Sequence, residues 1–199
     1  MDRRRRITTR AIAALLLVTL ATGCAMRPAA PPTRPLASPC IDCVPGIENF
    51  GRVTADLWRG DMPTDRGFEE LHRLGVRTII NLRKYPDNPP AATAPAHAVH
   101  IPMSPRAPQQ ESVLRAIREI EGALADPARR PVFIHCGEGR DRAGYVIAAW
   151  RRVIGDWSAD DAIHEMMNFR ARRLLPGNPR FVREIVPAAW RTLLAQPAR

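Results

Sequence analysis

From Gly46 onward, short β-branched apolar segments alternate with longer segments whose apolar residues recur at helical spacing. The predicted strands are residues 53–58, 76–82, 98–102 and 131–135. The predicted helices are residues 67–74, capped by Thr64 or Asp65 and closed by Gly75 in a left-handed conformation; 112–124; 142–154; one capped by Ser158 and ending at Phe169; and 181–194, bent at Pro187. Strands that alternate with helices indicate a parallel sheet, because the helix between two strands carries the chain back to the edge at which the next strand begins. We therefore expect an α/β fold with a largely parallel central sheet flanked by helices.

The 199-residue chain is basic, with 30 Lys and Arg against 20 Asp and Glu and a formal net charge of +10. Its hydrophobic fraction of 45% fits one compact domain of average composition with some additional tail. Lys84 is the only lysine, and the arginines are scattered along the chain. Nucleic-acid-binding domains instead cluster their basic residues, so we expect no nucleic acid partner. Small anionic substrates are compatible with this charge.

Residues 1–23 have the organisation of a secretory signal peptide, in which arginines precede an apolar run and small residues follow it. The run is about half the roughly 20 residues that span a bilayer, so a permanent transmembrane helix is the weaker interpretation. The sequence Leu-Ala-Thr-Gly-Cys, ending at Cys24, resembles the lipoprotein box of bacteria. This resemblance implies that Cys24 becomes the lipidated first residue, with ordinary signal cleavage as the alternative.

Residues 24–45 are predicted to be a lipidated cysteine followed by a proline-rich tether, which leads to a folded domain at 46–199. The lipid would hold the protein to a membrane of the bacterial cell envelope, as a periplasmic or outer-membrane lipoprotein. Cys40 and Cys43 form a Cys-x-x-Cys pair within the tether. A structural disulfide is the favoured interpretation in an oxidising compartment, with a redox pair or half of a zinc site as alternatives.

A glycine-rich segment joins the strand at 131–135 to the helix at 142–154 and contains Cys136 and Arg142, separated by five residues. Ligands of α/β folds bind at this end of the strands. The N–H groups of such a loop converge on one point, and the helix N-terminus adds positive potential, so an anion should bind there. The same field favours a thiolate, which makes Cys136 a candidate nucleophile. Arg142 can donate two parallel hydrogen bonds to a tetrahedral anion.

The segment His-Cys-x5-Arg, beginning at His135, resembles the signature of cysteine-dependent protein tyrosine and dual-specificity phosphatases. Similar segments of the bacterial and the plant and fungal dual-specificity branch occur at residues 46–53, 57–60, 75–83 and 100–103. The resemblance covers residues 46–169. It implies a phosphate loop between a strand and a helix, and a two-step reaction in which Cys136 forms a phosphocysteine that water hydrolyses. No metal or cofactor is implied.

The resemblance also assigns roles within the loop. Cys136, Arg142 and Asp141 are the candidate catalytic residues, and His135 supports the loop by hydrogen bonds. The candidate phosphate-binding residues are Gly137, Glu138, Gly139, Arg140, Asp141 and Arg142. Glu138 and Arg140 are placed to influence specificity or to form a solvated rim. Arg170, Arg172 and Arg173 could contact a polyanionic substrate, although arginines at the end of a helix are common in solvated positions.

Two positions depart from the family pattern. The family usually has Ser or Thr after the arginine, where its hydroxyl assists the second step, whereas this chain has Ala143. The family's general acid is usually an Asp about thirty residues before the cysteine, and residues 103–108 contain no carboxylate. Asp141 is the first candidate to replace it, with Glu111 second. The alternative for Asp141 is that it only orients Arg142 or the loop.

The sequence thus predicts a phosphomonoester hydrolase of the protein tyrosine and dual-specificity type, acting on a phosphorylated protein. A phosphoinositide or inositol phosphate is the alternative small phosphorylated substrate. A phosphate-binding module that traps phosphocysteine is the competing class. The third possibility is an arsenate reductase in which Cys40 and Cys43 act as resolving thiols. The oligomeric state is not determined.

Overall fold

The computed structural model describes residues 31–172, 175 and 177–197. The five strands are β1 (Gly51–Arg52), β2 (Leu57–Gly60), β3 (Thr78–Asn81), β4 (His97–His100) and β5 (Val132–His135). The six helices are α1 (Asp65–Arg73), α2 (Gln110–Ala125), α3 (Arg142–Val153), α4 (Ala159–Asn168), α5 (Gly177–Glu184) and α6 (Pro187–Ala195). A 3-10 turn at Ala91–Thr93 lies in the loop between β3 and β4.

The strands form one sheet in the order β1-β2-β5-β3-β4. β1 is antiparallel to β2, and the other pairs are parallel. β5 therefore lies at the centre, with β2 and β3 as its neighbours. This arrangement confirms the predicted α/β fold with a largely parallel sheet.

Helices cover both faces of the sheet. Successive residues of a strand point to opposite sides, and β5 places apolar side chains on each side. Val132 and Ile134 of β5 belong to the larger apolar cluster, which includes residues of α2 through α6. Phe133 points to the other face and packs in a smaller cluster with α1 and with residues between 44 and 50. Both faces of the central strand are buried, which explains its continuous apolar sequence.

The predicted helix signals at the ends of α1 and α4 are confirmed. The Thr64 hydroxyl accepts a hydrogen bond from Gly67 N at 3.2 Å, and the Ser158 hydroxyl accepts one from Asp161 N at 3.0 Å. Each cap satisfies an amide that has no partner inside its helix. Gly75 closes the turn after α1 with φ +80°, a left-handed conformation that glycine adopts without strain.

Two predicted elements had wrong boundaries, and one strand was not predicted. β2 begins at Leu57 rather than Val53, because the Thr54 hydroxyl accepts hydrogen bonds from Asp56 N and Leu57 N and bends the chain into a turn. The last predicted helix is two helices, since Pro187 lacks an N–H and begins α6. β1 is only two residues long, and no periodicity predicted it.

The described part of the predicted tether is fixed to the domain. Thr33 donates from its backbone N–H at 2.9 Å and from its hydroxyl at 2.6 Å to the Asp161 carboxylate. Ala37 N donates to Glu165 at 2.9 Å, and Cys40 pairs with Phe50 in a β-bridge. Residues 33–40 therefore do not form the free linker that their composition predicted, because α4 and the loop before β1 supply partners for their backbone groups.

The Cys-x-x-Cys pair forms the predicted disulfide between Cys40 and Cys43. The predicted signal peptide and Cys24 lie outside the described residues. Across the residues that are described, no helix has the length and apolar character needed to cross a membrane.

Candidate active site

The predicted phosphate loop, residues 136–142, begins where β5 ends and finishes in the first turn of α3. The ends of β2 and β3 flank it, because both strands run parallel to β5. Leu82 N, just after β3, donates to His135 O at 2.9 Å and continues the sheet up to the loop. The loop therefore rises from the centre of the sheet.

Cys136 is buried at the base of the loop, with 2% of its surface exposed. Among the cysteines of the described residues, it is the one outside the disulfide. It follows directly on His135, so the rigid central strand fixes its backbone. This is the position that the sequence predicts for a nucleophile.

Gly139 allows the loop to press against the end of β2. Its φ is +65°, and a Cβ there would lie 2.5 Å from Gly60 C and 2.7 Å from Asp61 N. Both the left-handed backbone and the contact with backbone atoms exclude a larger residue. A Cβ at Gly60 would point away from the loop, toward Ile47 and Phe133.

Arg142 leaves donor groups available beside the loop. Its Nη1 donates to Leu82 O at 3.3 Å, which holds the guanidinium over the end of β3. Its Nε is buried without a hydrogen-bond partner among the residues that the structure covers. An anion held in the loop would accept hydrogen bonds from this side chain.

A buried arginine, Arg59 of β2, lies beneath the loop and was missed by the sequence analysis. Its Nη2 donates to Gly139 O at 2.7 Å, and its guanidinium carbon lies 3.9 Å from the centroid of the Phe169 ring. Burial lowers the pKa of Arg59 to about 10, against the attraction of Cys136 and Glu165. The side chain thus keeps its positive charge at neutral pH.

His135, the last residue of β5, is held by Asp87, which the sequence analysis also missed. Nε2 of the fully buried His135 lies 2.8 Å from Asp87 Oδ2. Arg83 Nη1 lies 3.5 Å from the second oxygen of the same carboxylate. Asp87 is in the proline-rich loop after β3, and no local spacing relates it to His135.

Asp141 points toward the segment after α4 and is almost fully buried. Its Oδ1 accepts a hydrogen bond from the backbone N–H of Arg172 at 3.0 Å, and its Oδ2 lies 3.2 Å from Arg172 Nη1. A carboxylate that accepts from a guanidinium and an amide acts as an acceptor, whereas a general acid must donate a proton. The geometry therefore favours the alternative in which Asp141 orients the loop.

Ion pairs hold the solvent-facing side of the loop. Glu138 pairs with Arg172 and lies 3.3 Å from Arg140 Nη1. Asn49 Nδ2 donates to Glu138 O at 3.2 Å and to Phe169 O at 3.0 Å. These contacts join the loop to the segment before β1 and to the end of α4.

The two departures from the family pattern are visible in the structure. Ala143 is fully buried in the first turn of α3 and offers no hydroxyl to Cys136. In the segment after β4, the Ser104 hydroxyl accepts from Arg106 N and Ala107 N at 3.3 Å each. Glu111 is exposed in the first turn of α2. No carboxylate stands in residues 103–110.

A cavity of about 820 Å³ lies beside the loop. Its charged lining residues are Asp42, Glu48, Asp61, Glu138, Arg140 and Arg170. Burial raises the pKa of Asp61 to about 6, even though a hydrogen bond with the backbone of Glu48 lowers it. Disulfide-bonded Cys40 also lines the cavity, so the segment before β1 forms its wall. Within the described ranges, no cluster of three or more His, Cys, Asp or Glu is placed to hold a metal ion.

Known proteins are similar to this chain in sequence. The "Dual specificity protein phosphatase TpbA" of Pseudomonas aeruginosa is 29% identical over 137 residues, which cover 69% of this chain and 60% of that protein. The chain thus matches less than two thirds of that relative's length.

Solved structures share the fold. The crystal structure of P. aeruginosa TpbA has a TM-score of 0.68 and 25% identity, covering 82% of this chain and 99% of that one. The core catalytic domain of PP-IP phosphatase SIW14 from S. cerevisiae, in complex with citrate, has a TM-score of 0.59 and 25% identity. That match covers 73% of this chain and 90% of the other.

A family described as "DSP-PTPase phosphatase fused to NAD+ Kinase" matches residues 47–176. The match contains the central sheet, the phosphate loop and α4, and extends past the region whose motifs predicted a cysteine-dependent phosphatase. The predicted superfamily is thereby confirmed. The chain belongs to the DSP-PTPase phosphatase family.

Proposed function

We propose that this protein is a phosphomonoester hydrolase that forms a phosphocysteine on Cys136. The observation that carries the proposal is the buried Cys136 thiol at the base of a loop that ends in the α3 N-terminus, with Arg142 donors beside it. Family membership and the similarity to a dual specificity protein phosphatase support it.

In the first step, the Cys136 thiolate attacks phosphorus, an S–P bond forms, and the bond from phosphorus to the leaving oxygen breaks. Loop N–H groups and Arg142 bind the three remaining phosphoryl oxygens, where negative charge is concentrated in the transition state. In the second step, water attacks phosphorus, the S–P bond breaks and inorganic phosphate is released. The thiolate is regenerated without a metal or cofactor.

The chemistry of the site favours a substrate whose leaving group is a phenol. Asp141 is engaged by Arg172, and residues 103–110 contain no carboxylate, so neither of these two positions offers the leaving oxygen a proton. Tyrosine has a pKa of about 10, so its phenolate departs without a proton far more readily than an aliphatic alkoxide. We therefore propose phosphotyrosine as the substrate group.

The charge of the cavity favours a protein substrate. Four carboxylates and two guanidinium groups line it among the described residues. Since like charges repel, this lining disfavours a polyanion and favours a peptide with basic residues near its phosphotyrosine. The similarity to a PP-IP phosphatase supports the alternative substrate, an inositol phosphate, which Arg140 and Arg170 would contact.

The test is rapid-mixing kinetics of the full chain with an aryl phosphate, because residues 33–40 pack on the domain. We expect continuous phenol release that is absent in Cys136→Ser. Release of one equivalent followed by almost nothing would instead show a module that traps phosphocysteine. If Ala143→Ser then restored turnover, the missing hydroxyl would be the cause. Release that persists in Cys136→Ser would refute the mechanism.

The substrate proposal is tested by comparing kcat/KM for three classes of compound: phosphotyrosine peptides with basic flanks, the same peptides with acidic flanks, and inositol phosphates. We expect kcat/KM to be highest for the peptides with basic flanks, lower for those with acidic flanks and lowest for inositol phosphates. A higher value for inositol phosphates would establish the alternative.

We also propose that Cys24 is lipidated and anchors the protein in the bacterial cell envelope. The lipoprotein-like sequence before Cys24 supports this proposal. Membrane fractionation of cells that express the full chain tests it: the protein should sediment with membranes, and Cys24→Ala should not. Equal sedimentation of both would contradict the lipid anchor.

A further inference from the structure

Arg59 is a charged side chain without exposed surface, in the middle of the sheet. An isolated ion in a protein interior is costly unless other groups compensate its charge. Its recorded hydrogen bonds go to backbone oxygens of the phosphate loop: Gly139 O at 2.7 Å and, weakly, Arg140 O at 3.5 Å. Within the described chain, Nε and Nη1 have no hydrogen-bond partner.

Glu165 attracts the Arg59 charge, but other groups already occupy its carboxylate. It accepts from Arg151 Nε and Nη2, both at 3.0 Å, and from Ala37 N at 2.9 Å. Among the described residues, the hydrogen bonds of the Arg59 guanidinium therefore go to the phosphate loop.

The contact with Gly139 also fixes the direction of a loop peptide. Because a trans peptide is planar, its C=O and its N–H point in opposite directions. With Gly139 O turned toward Arg59, the N–H of Arg140 points away from the sheet interior. Phe169 stacks on the guanidinium and prevents it from swinging out of this position.

We infer that Arg59 is a positioning residue for the phosphate loop. Its Nη2 holds Gly139 O on the sheet side, so that the Arg140 N–H faces the bound phosphoryl group. The inference rests on the proposed function, because it assigns Arg59 to that same site.

The test is the protection of Cys136 from iodoacetamide by inorganic phosphate in the full chain, followed by mass spectrometry of the Cys136 peptide without reductant. The variants are Arg59→Met and, as a control with the same charge change, Arg77→Met, whose residue is exposed. Arg59→Met loses the hydrogen bond to Gly139 O, so phosphate should protect Cys136 several-fold less well in this variant. Arg77→Met should keep the wild-type protection.

Arg59→Lys separates charge from geometry and covers the case in which Arg59→Met does not fold. Lysine keeps the charge but lacks the planar fork that reaches Gly139 O. Inorganic phosphate should therefore protect Cys136 from alkylation several-fold less well in Arg59→Lys too, although the charge is kept.

Two results would overturn the inference. One is a folded Arg59→Met with wild-type phosphate protection, which would leave Arg59 a purely structural residue. The other is wild-type phosphate protection in Arg59→Lys. Neither readout requires turnover, so failure of the proposed hydrolase activity would appear separately, as absent phenol release from a protein with a normal alkylation profile.

Discussion

On its sheet side, the phosphate loop is held by contacts that each include a fully buried side chain: Arg59 beneath Gly139, and His135 against the partly buried Asp87. On its solvent side, Glu138 and Arg172 pair while 48% and 41% of their side chains are exposed. Removing one partner of a buried polar contact leaves the other group without a hydrogen bond, and the protein loses stability by the full desolvation penalty of that group. An exposed ion pair contributes only about 0–1 kcal/mol to stability. The comparison indicates that the sheet side fixes the loop and the solvent side adjusts it.

Gly139→Ala should have the largest effect. The new methyl group would meet the backbone of Gly60 and Asp61 in a left-handed conformation, so the loop must move. A displacement of about 1 Å can reduce the rate about 100-fold, and we expect a loss of that order in kcat/KM for an aryl phosphate. Gly122→Ala is the control: it lies in α2 with only Arg129 Nη1 near its added Cβ, and it should retain activity. Equal activity of both variants would refute the close contact.

Asp87→Ala should destabilise the protein by about 1–3 kcal/mol, because it leaves Nε2 of buried His135 without its partner. Urea unfolding measures the change. Asp56→Ala, which breaks an exposed pair with Arg130, is expected to cost under about 1 kcal/mol. If the two losses were equal, the distinction between buried and exposed contacts would not hold here.

Asp141→Asn tests the buried carboxylate that connects the two sides. We expect a rate loss of about tenfold, equal for aryl and alkyl phosphates, because the weakened Arg172 contact misplaces the loop for every substrate. Asp160→Asn, in an exposed pair with Arg183, should change neither rate. A loss concentrated on alkyl phosphates would assign the general-acid role to Asp141.

Asp61→Asn should change how stability depends on pH. The raised pKa of Asp61, about 6, means that the folded state binds this proton more tightly than the unfolded chain does. Its contribution to stability is therefore present below about pH 4 and is lost as pH rises through 6. Relative to Asp61→Asn, the wild-type Tm should fall between pH 4 and pH 7. Glu69→Gln, at an exposed position of α1, should not reproduce the difference.

Glu138→Gln should have the smallest effect, within about 0.5 kcal/mol of the wild-type free energy of unfolding, because its ion pairs are exposed. Glu184→Gln breaks another exposed pair, with Arg180, and should match it in stability. KM for a phosphopeptide should change in Glu138→Gln alone, since Glu138 lines the cavity. A loss above about 2 kcal/mol would show that the solvent side also fixes the loop.

The sequence identified the elements whose signals are local. Helix caps at Thr64 and Ser158 and the left-handed turn at Gly75 depend on residues a few positions apart. The turn before β2 was missed, because the Thr54 hydroxyl competes with strand pairing and Val53 is itself a good strand residue. The tether was misjudged because its partners, Asp161 and Glu165, are 128 residues away.

The same division applies to the site. The sequence by itself identified the candidate nucleophile and the proposed anion-binding loop, because Cys136, the glycines and Arg142 lie within one seven-residue segment and the expected chemistry follows from that spacing. Tertiary structure alone decided what holds the loop. Arg59 is 80 residues from Gly139, Asp87 is 48 from His135, and Arg172 is 31 from Asp141. Strand order brings β2 and β3 to either side of β5, and that order depends on how the whole chain buries its apolar surface.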